Sequence, residues 1–223
     1  MNSKKHFLIS GFMGLLASII VGLGEFYLHY SPQVIGNAAN YHFFKFVPIE
    51  HFPIGHFLAV IGLPLYFAGY YHIYLMLAKG NQRLASIVFC LGILAFTVGG
   101  FWITSRGFLG VIVHQEQHIP QGTFQTILDS YTLLSESLVQ ALRVIVLLLS
   151  LFFAAAILKG GTYYNKSVAL FNPFFLLLVV FLVYYISPFV GKYIAPIAMN
   201  VAHFILFTIS LYQFKHNFEN ENN

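Results

Sequence analysis

The chain has 223 residues, 58% of them hydrophobic and 8% charged, with a mean hydropathy of +0.76. So little polar material cannot cover a soluble globule, and the composition describes an integral membrane protein. The formal charge of +4 is spread along the chain without the clustered Lys/Arg and interleaved aromatics of a nucleic-acid surface, and the single cysteine, Cys90, excludes an internal disulfide.

A membrane-spanning helix needs about 20 mostly apolar residues. Six segments qualify, roughly 7–30, 54–78, 85–113, 131–158, 169–187 and 190–213. Their continuous apolar runs fit helices, whose backbone groups pair within the segment, rather than the alternating strands of a barrel. The expected fold class is an all-α, six-transmembrane-helix bundle forming a single domain over 1–223. No internal repeat, low-complexity segment or long linker divides it.

The first segment opens with the basic end and apolar run of a signal peptide. Its run from Phe7 to Leu23 is longer than a usual h-region, and no A-x-A-like site follows, so it reads as a retained first helix. Ser10, Gly14, Ser18, Gly22, Glu25 and His29 recur at helical spacing along one face. Small residues four apart are the usual contact surface between membrane helices, so Glu25 and His29 are expected to point into the bundle.

Residues 31–53 form the longest connection and mix aromatic with polar residues, as a cap or re-entrant piece would. In the second segment Tyr66, Tyr70 and Tyr74 share a stripe near His72, and interfacial anchoring is the expected reason. The third carries Gly92, Gly99 and Arg106 at seven-residue spacing, which turns Arg106 toward protein. In the fourth, Asp129, Thr132, Glu136, Gln140 and Arg143 share a sector of about 80°, with Ser150 continuing it, and such a stripe is costly against lipid. Asn200 and His203 lie three apart in the sixth, where interhelical hydrogen bonds would account for them. The tail "KHNFENENN" is short and polar.

Orientation follows from the basic residues of the short loops. A cytoplasmic N-terminus places Lys4, Lys5, Lys79, Arg83, Lys159, Lys166 and Lys215 inside and only Lys45 and Lys192 outside, and an even number of helices returns the C-terminus to the cytoplasm. Glu25, Glu50, Glu116, Asp129 and Glu136 then collect in the outer half, as do His29, His42, His51, His56, His114 and His118.

Glu25, Arg106, Glu136 and Arg143 balance in charge at similar outer depth. A buried ion-pair network would look the same, but intramembrane ionisable groups mark functional sites by default, and an ion pair has no use for His29. Three spacings suggest metal ligation by His29, His56 and His114: Glu25 with His29, His51 with His56, and His114 with His118, so that zinc or iron is conceivable as a cofactor. "HQEQH" lacks the glutamate position of the H-E-x-x-H motif, and Pro120 ends the helix soon after. Outward-facing histidines would equally serve in proton transfer.

"GHFLAVIGLPLYFAGYYHIYLMLAKGNQRLASIVFCLGILAFTVGG", residues 55–100, resembles small bacterial multi-pass membrane proteins grouped as a family of unknown function. The likeness rests on a glycine, a proline before a Leu-Tyr pair, and a Gly-aromatic-His-Ile-Tyr element. It implies a bacterial cytoplasmic membrane and carries no activity with it. The membrane hydrolases related to alkaline ceramidase do not fit: their last helix carries paired histidines where this one has only His203, and their serine-x-x-x-histidine element is replaced by "PIGH" at Pro53 to His56.

The leading functional expectation is an outward-facing membrane enzyme acting by acid/base or metal-assisted hydrolysis on a lipid or other amphipathic substrate. Glu25, His29 and Glu136 would be catalytic or orienting, and Arg106, Arg143, Gln140 and Asp129 would bind substrate. A carrier or binding protein using the same cluster, or a non-catalytic assembly subunit, are the alternatives. The expected partners are the lipid bilayer and an amphipathic small molecule.

Overall fold

The computed structural model describes residues 2–31 and 41–218. The middle of the 31–53 connection and the last five residues of the polar tail lie outside the described residues. Among the described residues every regular element is helical: α1 Asn2–His29, α2 His51–Ala78, α3 Gln82–His114, α4 Gln121–Lys159, α5 Pro173–Ile186, α6 Pro188–Ile194 and α7 Ala198–Gln213, with short 3₁₀ turns between several of them and a π-helical turn at Phe214–Phe218.

Five stretches are long and apolar enough to cross a bilayer, the fifth being the run Pro188–Asn217 that contains α6 and α7. α5 is shorter than the fifth segment read from the sequence. Its 14 residues rise about 21 Å, less than the roughly 30 Å of a hydrocarbon core. Asn172 caps its first turn by accepting a hydrogen bond from the Phe175 amide (3.0 Å), Pro173 opens it, and Ser187–Pro188 stops it. The last segment is broken, not continuous: a 3₁₀ turn at Ala195–Ile197 separates α6 from α7, because Pro196 has no amide to donate and its ring clashes with the preceding turn. α4 starts ten residues before the expected 131, at Gln121, with Pro120 before it.

α1 and α2 pack along much of their length through glycines. A Cβ built on Gly14 would lie 2.7 Å from the Gly69 Cα, and one on Gly69 would lie 2.6 Å from the Gly14 Cα. Gly24 and Gly55 meet in the same way nearer the other end. The expected small-residue face of α1 is therefore its buried face, with Ser10, Ser18 and Glu25 all buried.

Both described ends of the chain lie at one end of the bundle. The Phe7 ring stacks on Phe214 (4.7 Å between centroids) and meets Tyr163 edge-on at 5.9 Å, while Lys79 sits 4.7 Å from the Tyr163 ring centre. Tyr164, in the α4–α5 connection, is buried there with its hydroxyl 2.5 Å from Ser210 Oγ, and burial pushes this phenol well above its ordinary range, so it stays protonated. The opposite end is capped by the 3₁₀ turn His42–Phe46. His114 Nε2 lies 3.0 Å from the carbonyls of both Phe44 and Val47, and Lys45 pairs with Glu116.

The Gly14–Gly69 contact has no room for a side chain, whereas a Cβ on Gly99 would meet only Leu142, at 3.9 Å. Gly14→Leu is expected to destabilise the protein by about 1–3 kcal/mol or more, and Gly99→Ala to leave it unchanged. Thermal denaturation of the two variants in one detergent checks this.

Candidate functional site

The inner face of α7 carries Asn200, His203, Phe207 and Ser210, one to two turns apart and all buried. Opposite them stand three residues of α2. Tyr66 donates to Asn200 Oδ1 at 2.7 Å, Tyr70 Oη lies 2.7 Å from His203 Nε2, and His72 Nε2 lies 2.8 Å from Ser210 Oγ. The second nitrogen of each histidine is also engaged, His203 Nδ1 with the Met199 carbonyl (2.8 Å) and His72 Nδ1 with the Phe7 carbonyl (2.9 Å). α1 joins at the top of this series, where Asn200 Nδ2 donates to Glu25 Oε2.

The interhelical hydrogen bonding expected of Asn200 and His203 is present. The expected interfacial anchoring by Tyr66 and Tyr70 is not: both phenols are 1% exposed or less, and both are hydrogen-bonded across to α7. Gly92 makes room for Tyr70, whose ring lies where a side chain would otherwise be.

On the other side of Asn200 and His203 lies a cavity of about 310 Å³, walled by α1, α2, α3, α4, α5 and the Ala195–Ile197 break. Its walls are mostly apolar, with Phe96, Ile103, Val146, Phe181 and Pro196 among them, and Gly99 leaves it open. The polar groups reaching it are Glu25, Trp102, Arg143, Asn200 and His203. An apolar chamber with a few placed polar groups is the usual form of a small-molecule site, and broken backbone at such depth belongs where it lines a cavity.

Arg106 and His29 gather just beyond this chamber. Arg106 is 8% exposed, and its guanidinium carbon lies 4.8 Å from the Trp102 ring centre, 5.3 Å from Tyr41, 5.3 Å from Phe44 and 5.9 Å from Phe43. Tyr41 reaches it from a left-handed backbone (φ 60°), a conformation uncommon for a bulky residue. The His29 ring stacks on Trp102 with centroids 5.7 Å apart. Glu25 and Arg106 are both buried, at 8% exposure each. Aromatic faces stabilise a cation by about 0.5–2 kcal/mol, but an in-plane N–H still lacks an oxygen. Leaving a buried donor unpaired costs about 1–3 kcal/mol, more if it is charged.

The remaining sequence candidates are placed differently. Glu25 and His29 do not bond to each other through their side chains: the carboxyl is held by Asn200 and the imidazole is stacked on Trp102. The α4 stripe divides: Asp129, Glu136, Gln140 and Arg143 are exposed, Thr132 is half-buried, and Ser150 is buried and accepts from the Phe174 amide. Asp129 accepts from Gln125 (2.8 Å), and Arg143 alone of the four reaches the cavity. The three histidines expected to hold a metal stand apart. His56 Nδ1 is 3.3 Å from the Thr104 carbonyl, and His114 is occupied with Phe44 and Val47. Among the described residues no three His, Cys, Asp or Glu side chains lie close enough to share an ion, so the donor set does not fit zinc or iron. The sequence reading missed Trp102, although it precedes Arg106 by four residues and so had to share its helix face.

The fold and site define a class: an all-helical protein with several helices long and apolar enough to span a membrane, enclosing a mostly apolar chamber with a few polar groups. The chain belongs to the family of unknown function DUF6796, whose model matches residues 1–217, far beyond the 55–100 stretch that carries the likeness in sequence. No curated protein and no solved structure matches it.

Asn200 serves as the hub of α1, α2 and α7. Asn200→Leu, which strands both the Glu25 carboxyl and the Tyr66 hydroxyl, is expected to cost about 2–4 kcal/mol, and Tyr66→Phe about 1 kcal/mol. Equilibrium unfolding in mixed micelles, followed by the emission of Trp102, would show the ordering.

Proposed function

We propose that this chain is a membrane-embedded binding protein that takes a small amphipathic molecule, a lipid or a lipid-like metabolite, into the cavity between α1, α3, α4 and α7. The observation that carries the reading is the cavity itself: about 310 Å³, apolar over most of its wall, with Glu25, Asn200, His203 and Arg143 supplying the polar contacts. Arg143 is exposed on α4 while also lining the chamber, which makes the α4–α5 side its natural mouth. A ligand entering there would come from the bilayer. Hydrolysis by Glu25 and His29 would need the two to act as a pair, and their separate engagements favour binding or carriage over that chemistry.

The proposed setting is a bacterial cytoplasmic membrane, crossed six times by α1, α2, α3, α4, α5 and the broken α6–α7 run. An even number of crossings agrees with Phe7 stacking on Phe214 at one end. Both termini are then cytoplasmic, because the loops at that end carry Lys79, Arg83, Lys159 and Lys166, together with Lys4, Lys5 and Lys215 beside the termini, while Lys45 lies at the other.

Two measurements test this reading. In a Cys90→Ser background, a membrane-impermeant maleimide applied to intact cells is expected to label Glu50→Cys and to spare Arg83→Cys; the reverse pattern inverts the topology. In maltoside micelles, 11-bromoundecanol is expected to quench Trp102 saturably, and Gly99→Phe, which fills the chamber, to abolish the saturable part. Quenching that rises linearly in both proteins would remove the binding function.

A further inference from the structure

We infer that the cluster just beyond the outer end of the cavity is an oxyanion subsite, built from the N–H groups of Arg106, Trp102 and His29, which takes the carboxylate or phosphate head of an amphipathic ligand. The inference rests on the binding function proposed above and names the chemistry of its ligand.

Three nitrogens carry it. Arg106 Nε, Trp102 Nε1 and His29 Nε2 are each buried and each without a hydrogen-bond partner among the described residues. They belong to neighbouring side chains, with the guanidinium 4.8 Å from the Trp102 ring centre and the His29 ring stacked on the Trp102 ring at 5.7 Å. Arg106 and Trp102 offer donors only, and His29 offers one as its Nε2–H tautomer or as imidazolium. A cluster of donors with a fixed positive charge selects a negatively charged acceptor.

Among the described residues nothing satisfies these three nitrogens. Tyr41, Phe43, Phe44 and Trp102 surround the guanidinium with ring faces, which stabilise its charge and supply no acceptor oxygen in its plane. Glu25, the carboxylate that could have closed the pair, is engaged by Asn200 on α7. Glu136 is exposed on α4, and the side-chain ion pair seen at this end among the described residues is Lys45 with Glu116. Trp102 also lines the cavity, so a ligand with its head against these donors would lay its apolar body along Ile103, Phe96 and Val146. Head and tail then match the two halves of the site.

Trp102 is the chain's one tryptophan, so its emission reports on the subsite directly. The test uses the full chain in maltoside micelles, which contribute no oxyanion, and compares 11-bromoundecanoate with 11-bromoundecanol at a pH where the acid is ionised. The acid is expected to bind about tenfold or more tightly than the alcohol, as a charge-assisted hydrogen bond would give. Arg106→Gln is expected to erase that preference while keeping saturable quenching by the alcohol. His29→Gln, at the edge of the group, gives a smaller loss and serves if Arg106→Gln does not fold. Equal affinity of acid and alcohol in the wild type would overturn the subsite and leave the cavity function standing, whereas no saturable quenching by either would overturn the cavity function itself. A preference that survives both substitutions also overturns the subsite. Inorganic phosphate and acetate separate the two sources of the anion: displacement of the bromo-acid only by undecyl phosphate supports an amphiphile, and displacement by the free ions at similar concentration assigns the same donors to a free oxyanion.

Discussion

Three helices of this bundle are registered on one asparagine. In an apolar interior a side-chain amide cannot leave its donors or its acceptor unmet, and Asn200 meets them with a carboxylate from α1 and a phenol from α2. Those two bonds fix the rotation and height of three helices at once. The pattern then repeats down α7, with His203 on Tyr70 and Ser210 on His72, so α2 and α7 are held by polar contacts at successive turns. The close Gly14–Gly69 approach lets α1 share this arrangement, because a side chain on either would push α1 away from α2 and draw Glu25 out of reach of Asn200.

The cavity follows from what the opposite wall lacks. Three features keep α3, α4, α5 and α7 from interlocking there: Gly99 presents no side chain, α5 is too short to fill the full height, and the 3₁₀ turn at Pro196 carries the backbone away from a helical path. In a membrane, helix association depends on close packing rather than on expulsion of water, and in this region the packing is incomplete. The polar groups at its border make an occupant with both an apolar body and a polar end the best match.

Much of this was legible in the sequence, and the parts that were not share a cause. Composition and run length locate the membrane-length helices, and the small-residue face of α1 correctly buries Glu25. Helical periodicity, however, gives only relative azimuth. It groups Asp129, Glu136, Gln140 and Arg143 on one side of α4 without saying toward what that side is turned; all four are exposed, and Arg143 alone also reaches the cavity. Likewise Tyr66 and Tyr70 share a stripe in either an anchoring or a buried role, and only the partners on α7, more than a hundred residues away, decide between them. Pro188 and Pro196 were visible as residues, but a proline in an apolar run is compatible with a kink, a break or a reversal until neighbouring helices fix the path.

The separation of Glu25 from Arg106 is where the fold and the chemistry meet. Had these two side chains paired directly, each would have satisfied the other, and the cluster would be a structural tie between α1 and α3 with nothing left to offer a ligand. Asn200 prevents that by engaging the carboxyl from α7. Arg106 is left among ring faces that stabilise charge but accept no in-plane hydrogen bond, beside Trp102 Nε1 and His29 Nε2, which likewise have no partner among the described residues. The same asparagine that holds the three helices in register therefore keeps the Glu25 carboxyl on itself and leaves the Arg106 Nε–H without a hydrogen-bond partner among the described residues, beside the chamber that Trp102 lines.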